Sequence, residues 1–141
     1  MAGKPGAAGR PSTPGTRGRS TRERGRQAED LAAAFLERRG LEVLARNHAT
    51  RRGEVDLVCR DGDVLCFVEV RSRATGSGGT PEESVTRRKA RRVVAAATDW
   101  ALRHGGLDRA IRFDVVSVRM GPGEPRVEHF SAAFDADGEA L

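Results

Sequence analysis

Apolar residues recur along this chain with two periods. Ala28, Leu31, Ala32, Phe35 and Leu36 fall at i, i+3, i+4, i+7 and i+8. That spacing is the stripe of one helix face, and Gly40 supplies a C-terminal stop. The pattern then changes to strand-like runs at residues 41–46, 54–60 and 64–72. The last two are joined by Asp61-Gly62, the signal of a tight hairpin. A Gly/Ser-rich stretch, ATGSGGT, separates them from a second helical pattern that runs to about His104. Thr80-Pro81-Glu82-Glu83 has the form of a capping box for that helix, and Thr86 offers a second start. Val93, Ala97, Trp100 and Ala101 make its core row. IRFDVVSVR, residues 111–119, reads as a strand with Phe113, Val115 and Ser117 on one face, and residues 126–130 as a short final strand. Helix, three strands, helix, strand, strand implies one α/β domain, a central mixed β-sheet flanked by helices.

Composition sets the limits of that domain. The chain has 141 residues, enough for one real core. Residues 1–26 hold seven basic residues and one acidic, a charge of +6, so the formal +5 of the whole chain comes from this segment and the remainder carries −1. The segment is rich in Gly, Pro and Ser. Residues 1–24 are therefore expected to be a disordered basic tail, residues 25–131 the folded domain, and residues 132–141 a flexible C-terminal end. A basic arm holds polyanions by releasing counterions, or simply keeps the chain soluble. No apolar run reaches membrane-spanning length, and the N-terminus lacks the apolar core of a secretory signal, so a cytoplasmic protein with no membrane partner is expected. Cys59 and Cys66 sit among Val and Phe and read as small core residues. His48, His104 and His129 have no zinc-ligand spacing.

Two carboxylates interrupt the apolar strands. GEVDLV carries Asp56 and FVEVRSR carries Glu69. Either they mark a solvated face or they hold a metal. If the hairpin turns on Asp61-Gly62, Arg60 pairs with Asp63, Glu54 lies opposite Glu69, and Asp56 is diagonal to Glu69. Diagonal neighbours have Cα atoms about 7–8 Å apart, close enough for two carboxylates to share one divalent ion. A slip of one residue would send them to opposite faces. Glu54 joins them on the same face, so the cluster repels itself without a cation. Oxygen-only donors favour Mg²⁺ or Mn²⁺ over zinc. Glu29 borders the buried stripe of the first helix, where a glutamate either serves the helix dipole or faces the strand acids.

The combination of Glu29, Asp56 and Glu69-Val70-Arg71 resembles the PD-(D/E)XK nuclease superfamily, the restriction-endonuclease-like fold. The ordered set GEVDLV, FVEVRSR, VTRRKARR and RFDVV, behind a helix with an inward Glu, resembles the YraN-type family of bacterial proteins. It is also similar to archaeal Holliday-junction resolvases. The resemblance covers about residues 25–130. It implies a metal-dependent nuclease that hydrolyses phosphodiester bonds of DNA, branched or structured forms included. It further implies Mg²⁺ or Mn²⁺ held by Asp56, Glu69 and the Val70 carbonyl, with Glu29 orienting a water or a second ion.

The nuclease pattern has Lys where this chain has Arg71. Arginine stays protonated and makes a poor proton acceptor, though it holds phosphate well. The chain has only two lysines, Lys4 and Lys89. Lys89 lies one helical turn before Val93, on that helix's inward row. Asp56, Glu69, Arg71 and Lys89 are thus the expected catalytic set. Arg71, Arg73, Arg87, Arg88, Lys89, Arg91 and Arg92 are the expected contacts to DNA or another nucleic acid, the alternative being a solvated basic turn. A non-catalytic nucleic-acid-binding module on the same fold is the competing expectation. The oligomeric state is left open, a homodimer included.

Overall fold

In the computed structural model, which describes residues 21–74, 85–106 and 108–141, helix α1 (Thr21–Arg38) precedes strands β1 (Glu42–Ala49), β2 (Glu54–Asp61) and β3 (Val64–Ala74). Helix α2 (Arg87–Arg103), β4 (Ala110–Met120) and β5 (Arg126–Phe134) follow. The five strands form one sheet in the order β1-β2-β3-β4-β5. All neighbours are antiparallel except β3 and β4, which are parallel. A parallel pair needs a crossover, and α2 lies within it. No helix among the described residues is long and apolar enough to cross a membrane.

The sheet is buried from both sides because its central strands are apolar on both faces. Ala28, Ala32, Ala33 and Leu36 of α1 cover Leu57, Cys59, Cys66, Val68, Val116 and Val118. Ala90, Val93, Ala96, Ala97, Trp100 and Ala101 of α2 cover Leu65, Phe67, Phe113 and Val115. Phe67 anchors the second layer: its ring meets Trp100 edge-on at 6.0 Å and Phe113 at 6.0 Å. Truncating it to Ala would cost about 3–5 kcal/mol. Cys59 and Cys66 are fully buried free thiols, opposite each other on β2 and β3. Burial pushes them up to about 12 and about 11, so both are unreactive core residues.

Three expectations need correction. The turn between β2 and β3 is Gly62-Asp63, with Asp61 paired to Val64 and Val58 to Phe67. Gly62 takes φ +60, the positive value that a type II′ turn requires at its first central residue. The register is therefore displaced by two residues, which preserves which face each side chain occupies. Secondly, α1 begins at Thr21, so residues 21–24, assigned to the tail on composition, are helical. Arg22, Glu23 and Arg24 are good helix formers despite their charge. The rest of that tail lies outside the described residues.

Thirdly, the C-terminal end is folded. β5 runs on to Phe134, which is buried and stacks on Phe113 at 5.3 Å. Ala140 bridges back to Phe134, and the Leu141 N–H donates to the Ala133 carbonyl at 3.1 Å. The register between β4 and β5 shifts between Phe113 and Val115, where Ala132 has φ 55. This irregularity breaks the period-two pattern and hides the end of the strand from sequence reading. Helix α2 (Arg87–Arg103) is capped by Thr86, the second start expected from the sequence. The Thr86 hydroxyl accepts from the Lys89 N–H at 3.1 Å. The capping box at residues 80–83 and most of the Gly/Ser-rich stretch lie outside the described residues.

One buried ion network closes the far half of the sheet. Asp114, fully buried, accepts from both Arg112 nitrogens Nε and Nη2 at 2.9 and 3.0 Å. It also binds His129 Nε2 at 2.8 Å and the Ala132 N–H at 3.0 Å. The backbone irregularity at Ala132 thus supplies a donor that regular pairing would have used elsewhere.

Candidate active site in the split between two strands

The pairing of β2 with β3 ends at Leu57 and Val68. Beyond that point β2 stays paired to β1 as far as Glu54, and β3 stays paired to β4 as far as Ala74. The sheet therefore splits, and both helices reach the gap. Glu29 from α1, Glu54 and Asp56 from β2, Glu69 and Val70 from β3, and Lys89 and Arg92 from α2 line a cleft of about 270 Å³.

Asp56 sits at the fork. Its Oδ2 accepts the Val70 N–H at 2.8 Å, so a side chain satisfies a donor that the ladder has released. Its carboxyl is also hydrogen-bonded to Glu69. Burial, and then the charge of Glu69, push Asp56 up to about 8, outweighing the Val70 hydrogen bond. The proton belongs to the Asp56–Glu69 pair, since two adjacent carboxylates, one buried and one half-buried, resist carrying two charges.

Glu69 is 4% exposed, yet two cations stand beside it. Lys89 Nζ lies 3.2 Å from Glu69 Oε2, and an Arg71 guanidinium nitrogen lies 3.6 Å from the same oxygen. Lys89 arrives there because the Thr86 cap fixes the first turn of α2, while buried Ala90 and Val93 seat that turn on the sheet. Glu29 faces the pair from α1. Burial raises its carboxyl against the lowering effect of a hydrogen bond from Asn47.

Asn47 escaped the sequence reading. It has φ 54, a left-handed conformation inside strand β1. Asn tolerates that region better than most residues, but a strand interior seldom contains it. The Asn47 side chain is a hydrogen-bond partner of Glu29. No sequence signal marks it beyond an Asn in an otherwise strand-like run.

The expected residues divide into two groups. Glu29, Asp56, Glu69, Val70, Lys89 and Arg92 line the acid cleft, and Arg71 reaches Glu69 from the same strand. Arg73 lies two residues further along β3, outside the cleft lining. Arg87, Arg88 and Arg91 line a neighbouring recess that also receives Arg92. Glu54, expected beside Asp56, lines the cleft as well.

The donor set fits a hard divalent ion as a partial site. Asp56 and Glu69 offer carboxylate oxygens only. Among the described residues, no three His, Cys, Asp or Glu side chains group closely enough to hold a metal ion, so Glu29 does not complete a site with Asp56 and Glu69. Mg²⁺ is commonly bound by one or two carboxylates, with water and substrate phosphates filling the remaining positions.

The chain also aligns with known sequences. The model of the family described as "Uncharacterised protein family UPF0102" matches residues 28–118. A UPF0102 protein from Anaeromyxobacter dehalogenans is 72% identical over 114 residues, which is 81% of this chain and 85% of the relative. One from Geobacter sulfurreducens is 46% identical over 112 residues, 79% of this chain and 88% of the relative. One from Pseudomonas aeruginosa is 44% identical over 126 residues, 83% of this chain and 96% of the relative. The matched segment covers α1 from Ala28 onward, β1 to β3, α2 and β4 as far as Val118, and with them every residue of the acid cleft from Ala28 onward. On these matches, the chain belongs to the uncharacterised protein family UPF0102.

Proposed function

We propose that the acid cleft hydrolyses phosphodiester bonds of DNA, with Mg²⁺ or Mn²⁺ held by Asp56 and Glu69. The carrying observation is the convergence of Asp56, Glu69 and Lys89 from three separate elements, with Lys89 Nζ 3.2 Å from Glu69. A five-stranded mixed sheet with a helix on each face is also the arrangement that the restriction-endonuclease-like resemblance implies. The bound ion would supply positive charge against the negative charge that develops on the attacked phosphate.

The chain's own groups supply the rest. Asp56 must lose its proton for the pair to take up a cation, and its raised affinity for that proton makes the site responsive to pH. Lys89 and Arg71 meet the scissile phosphate from the side of Glu69, as preorganised charges in a partly buried cleft. Glu29, held by Asn47, orients a water from the α1 side and accepts its proton at a carboxylate oxygen. Arginine at position 71 favours the second reading, a binding module without turnover. Lys89 bears against that reading, because it places a lysine at the same carboxylate from a different element.

The test is cleavage of linear, nicked, flapped and four-way DNA with Mg²⁺ or Mn²⁺, using Asp56→Asn as the control. Metal-dependent cutting lost in Asp56→Asn supports the enzyme. Binding with no cutting of any substrate, with either metal, establishes the binding module instead.

A further inference from the structure

The turn between β1 and β2 touches the start of α2 at one point. A Cβ on Gly53 would lie 1.9 Å from the Arg92 carbonyl oxygen, so only glycine permits this approach. The contact carries Arg52 to the helix. There Arg52, Arg87, Arg88, Arg91 and Arg92 line a recess of about 330 Å³, with no acidic side chain among the described residues of its wall.

The charges in that recess are poorly compensated. Arg87 pairs with Glu139 at 3.0 Å, and Arg87 and Arg91 donate to the Asp137 carbonyl at 3.5 and 3.3 Å. Among the described residues, no carboxylate forms an ion pair with Arg52, Arg88, Arg91 or Arg92. The first turn of α2 contains no acid either, so the positive end of the helix dipole adds to the guanidiniums. Like charges one turn apart destabilise a helix. Their common solution is an external polyanion. Arg92 lines both this recess and the acid cleft, so the two adjoin.

We propose that the arginine recess binds the phosphodiester backbone of a nucleic-acid strand, next to the phosphate seated in the acid cleft, with Arg52 as a contact from outside α2. The placement of the strand rests on the nuclease reading of the acid cleft; the affinity of the recess does not. A strand that enters the acid cleft passes Arg92 and lays its neighbouring phosphates against Arg52, Arg88 and Arg91.

The experiment measures affinity of the full chain for a fluorescent oligonucleotide in EDTA, as a function of salt. Arg52→Glu and Arg88→Glu should each weaken binding by about tenfold and reduce the salt slope by about 1. Arg52→Gln should lose less than Arg52→Glu. Arg51→Glu changes the same turn but lies outside the recess, so it should leave affinity within about twofold. The proposal is overturned if Arg51→Glu costs as much as Arg52→Glu, if the recess variants bind like wild type, or if wild type has no affinity at low salt. Wild type that binds through the recess yet cuts nothing would defeat the nuclease reading and leave this one standing. Wild type that cuts, with recess variants binding normally, would do the reverse.

Discussion

Lys89 Nζ stands 3.2 Å from Glu69 Oε2, although one residue opens α2 and the other lies within β3. The nuclease pattern draws its lysine from the same strand as its glutamate, two residues on. Here that place holds Arg71, whose guanidinium reaches the same oxygen at 3.6 Å. Two cations thus approach one buried carboxylate from different elements, and they need not share one role.

Lys89→Ala should therefore reduce single-turnover DNA cleavage by about 10²–10³-fold, the usual scale for removing one preorganised charge. Affinity for DNA should fall far less, because the arginine recess remains. Arg71→Lys should keep or raise cleavage. Equal losses of binding and cleavage in Lys89→Ala would make Lys89 a phosphate contact alone.

Asp56 gives a stability prediction with a definite sign. Burial and the charge of Glu69 raise its carboxyl from the ordinary 3.8 to about 8, so between those pH values the folded chain holds more of this proton than the unfolded chain. Its contribution is favourable at low pH and is lost as pH rises through that window. Without metal, Asp56→Asn should melt higher than wild type at pH 8, with the difference shrinking toward pH 4. Mn²⁺ should raise the wild-type midpoint more at pH 8 than at pH 6; a hundredfold excess over Kd stabilises the fold by about 2.7 kcal/mol. An equal Mn²⁺ response in Asp56→Asn/Glu69→Gln would show that the ion binds elsewhere.

Asp114 behaves in the opposite way. Burial alone would raise its carboxyl, but hydrogen bonds from His129, Arg112 and Ala132 outweigh that and lower it. Its contribution is present above the unfolded value of 3.8 and is lost as pH falls through the lower folded value. Asp114→Ala should cost roughly 3–5 kcal/mol, since it leaves the Arg112 guanidinium without its buried partner. Denaturant midpoints at pH 7 and pH 3 check both statements, and the penalty should be smaller at pH 3.

The helices and strands were legible because their apolar spacing is local. Leu31, Phe35 and Leu36 announce α1, and Phe67 and Val68 announce a strand buried on both faces. Asp56 and Glu69 were legible as a pair even though the turn was misplaced, because a two-residue displacement leaves each side chain on its face. What stayed hidden depends on contacts between distant segments or on backbone angles. Arg52 joins the recess beside the close Gly53–Arg92 approach, and nothing near Arg52 in the chain announces it. Phe134 was lost behind the irregularity at Ala132, where alternation stops reporting the sheet. Asn47 was lost because φ is not written in a hydrophobic pattern.

Asn47 offers a test that separates backbone strain from side-chain chemistry. Its φ of 54 suits glycine, while alanine there costs on the order of 1 kcal/mol. Both substitutions remove the amide that holds Glu29. If Asn47 is a positioning residue for Glu29, Asn47→Gly and Asn47→Ala should lose cleavage alike, by about tenfold or more in rate. Only Asn47→Ala should lose stability. The pH dependence of the residual rate should shift upward in both variants, because a hydrogen bond that favours the charged carboxylate is gone. A glycine variant that cuts at the wild-type rate with an unchanged pH profile would show that the positive φ serves the bend of β1 and not the acid cleft.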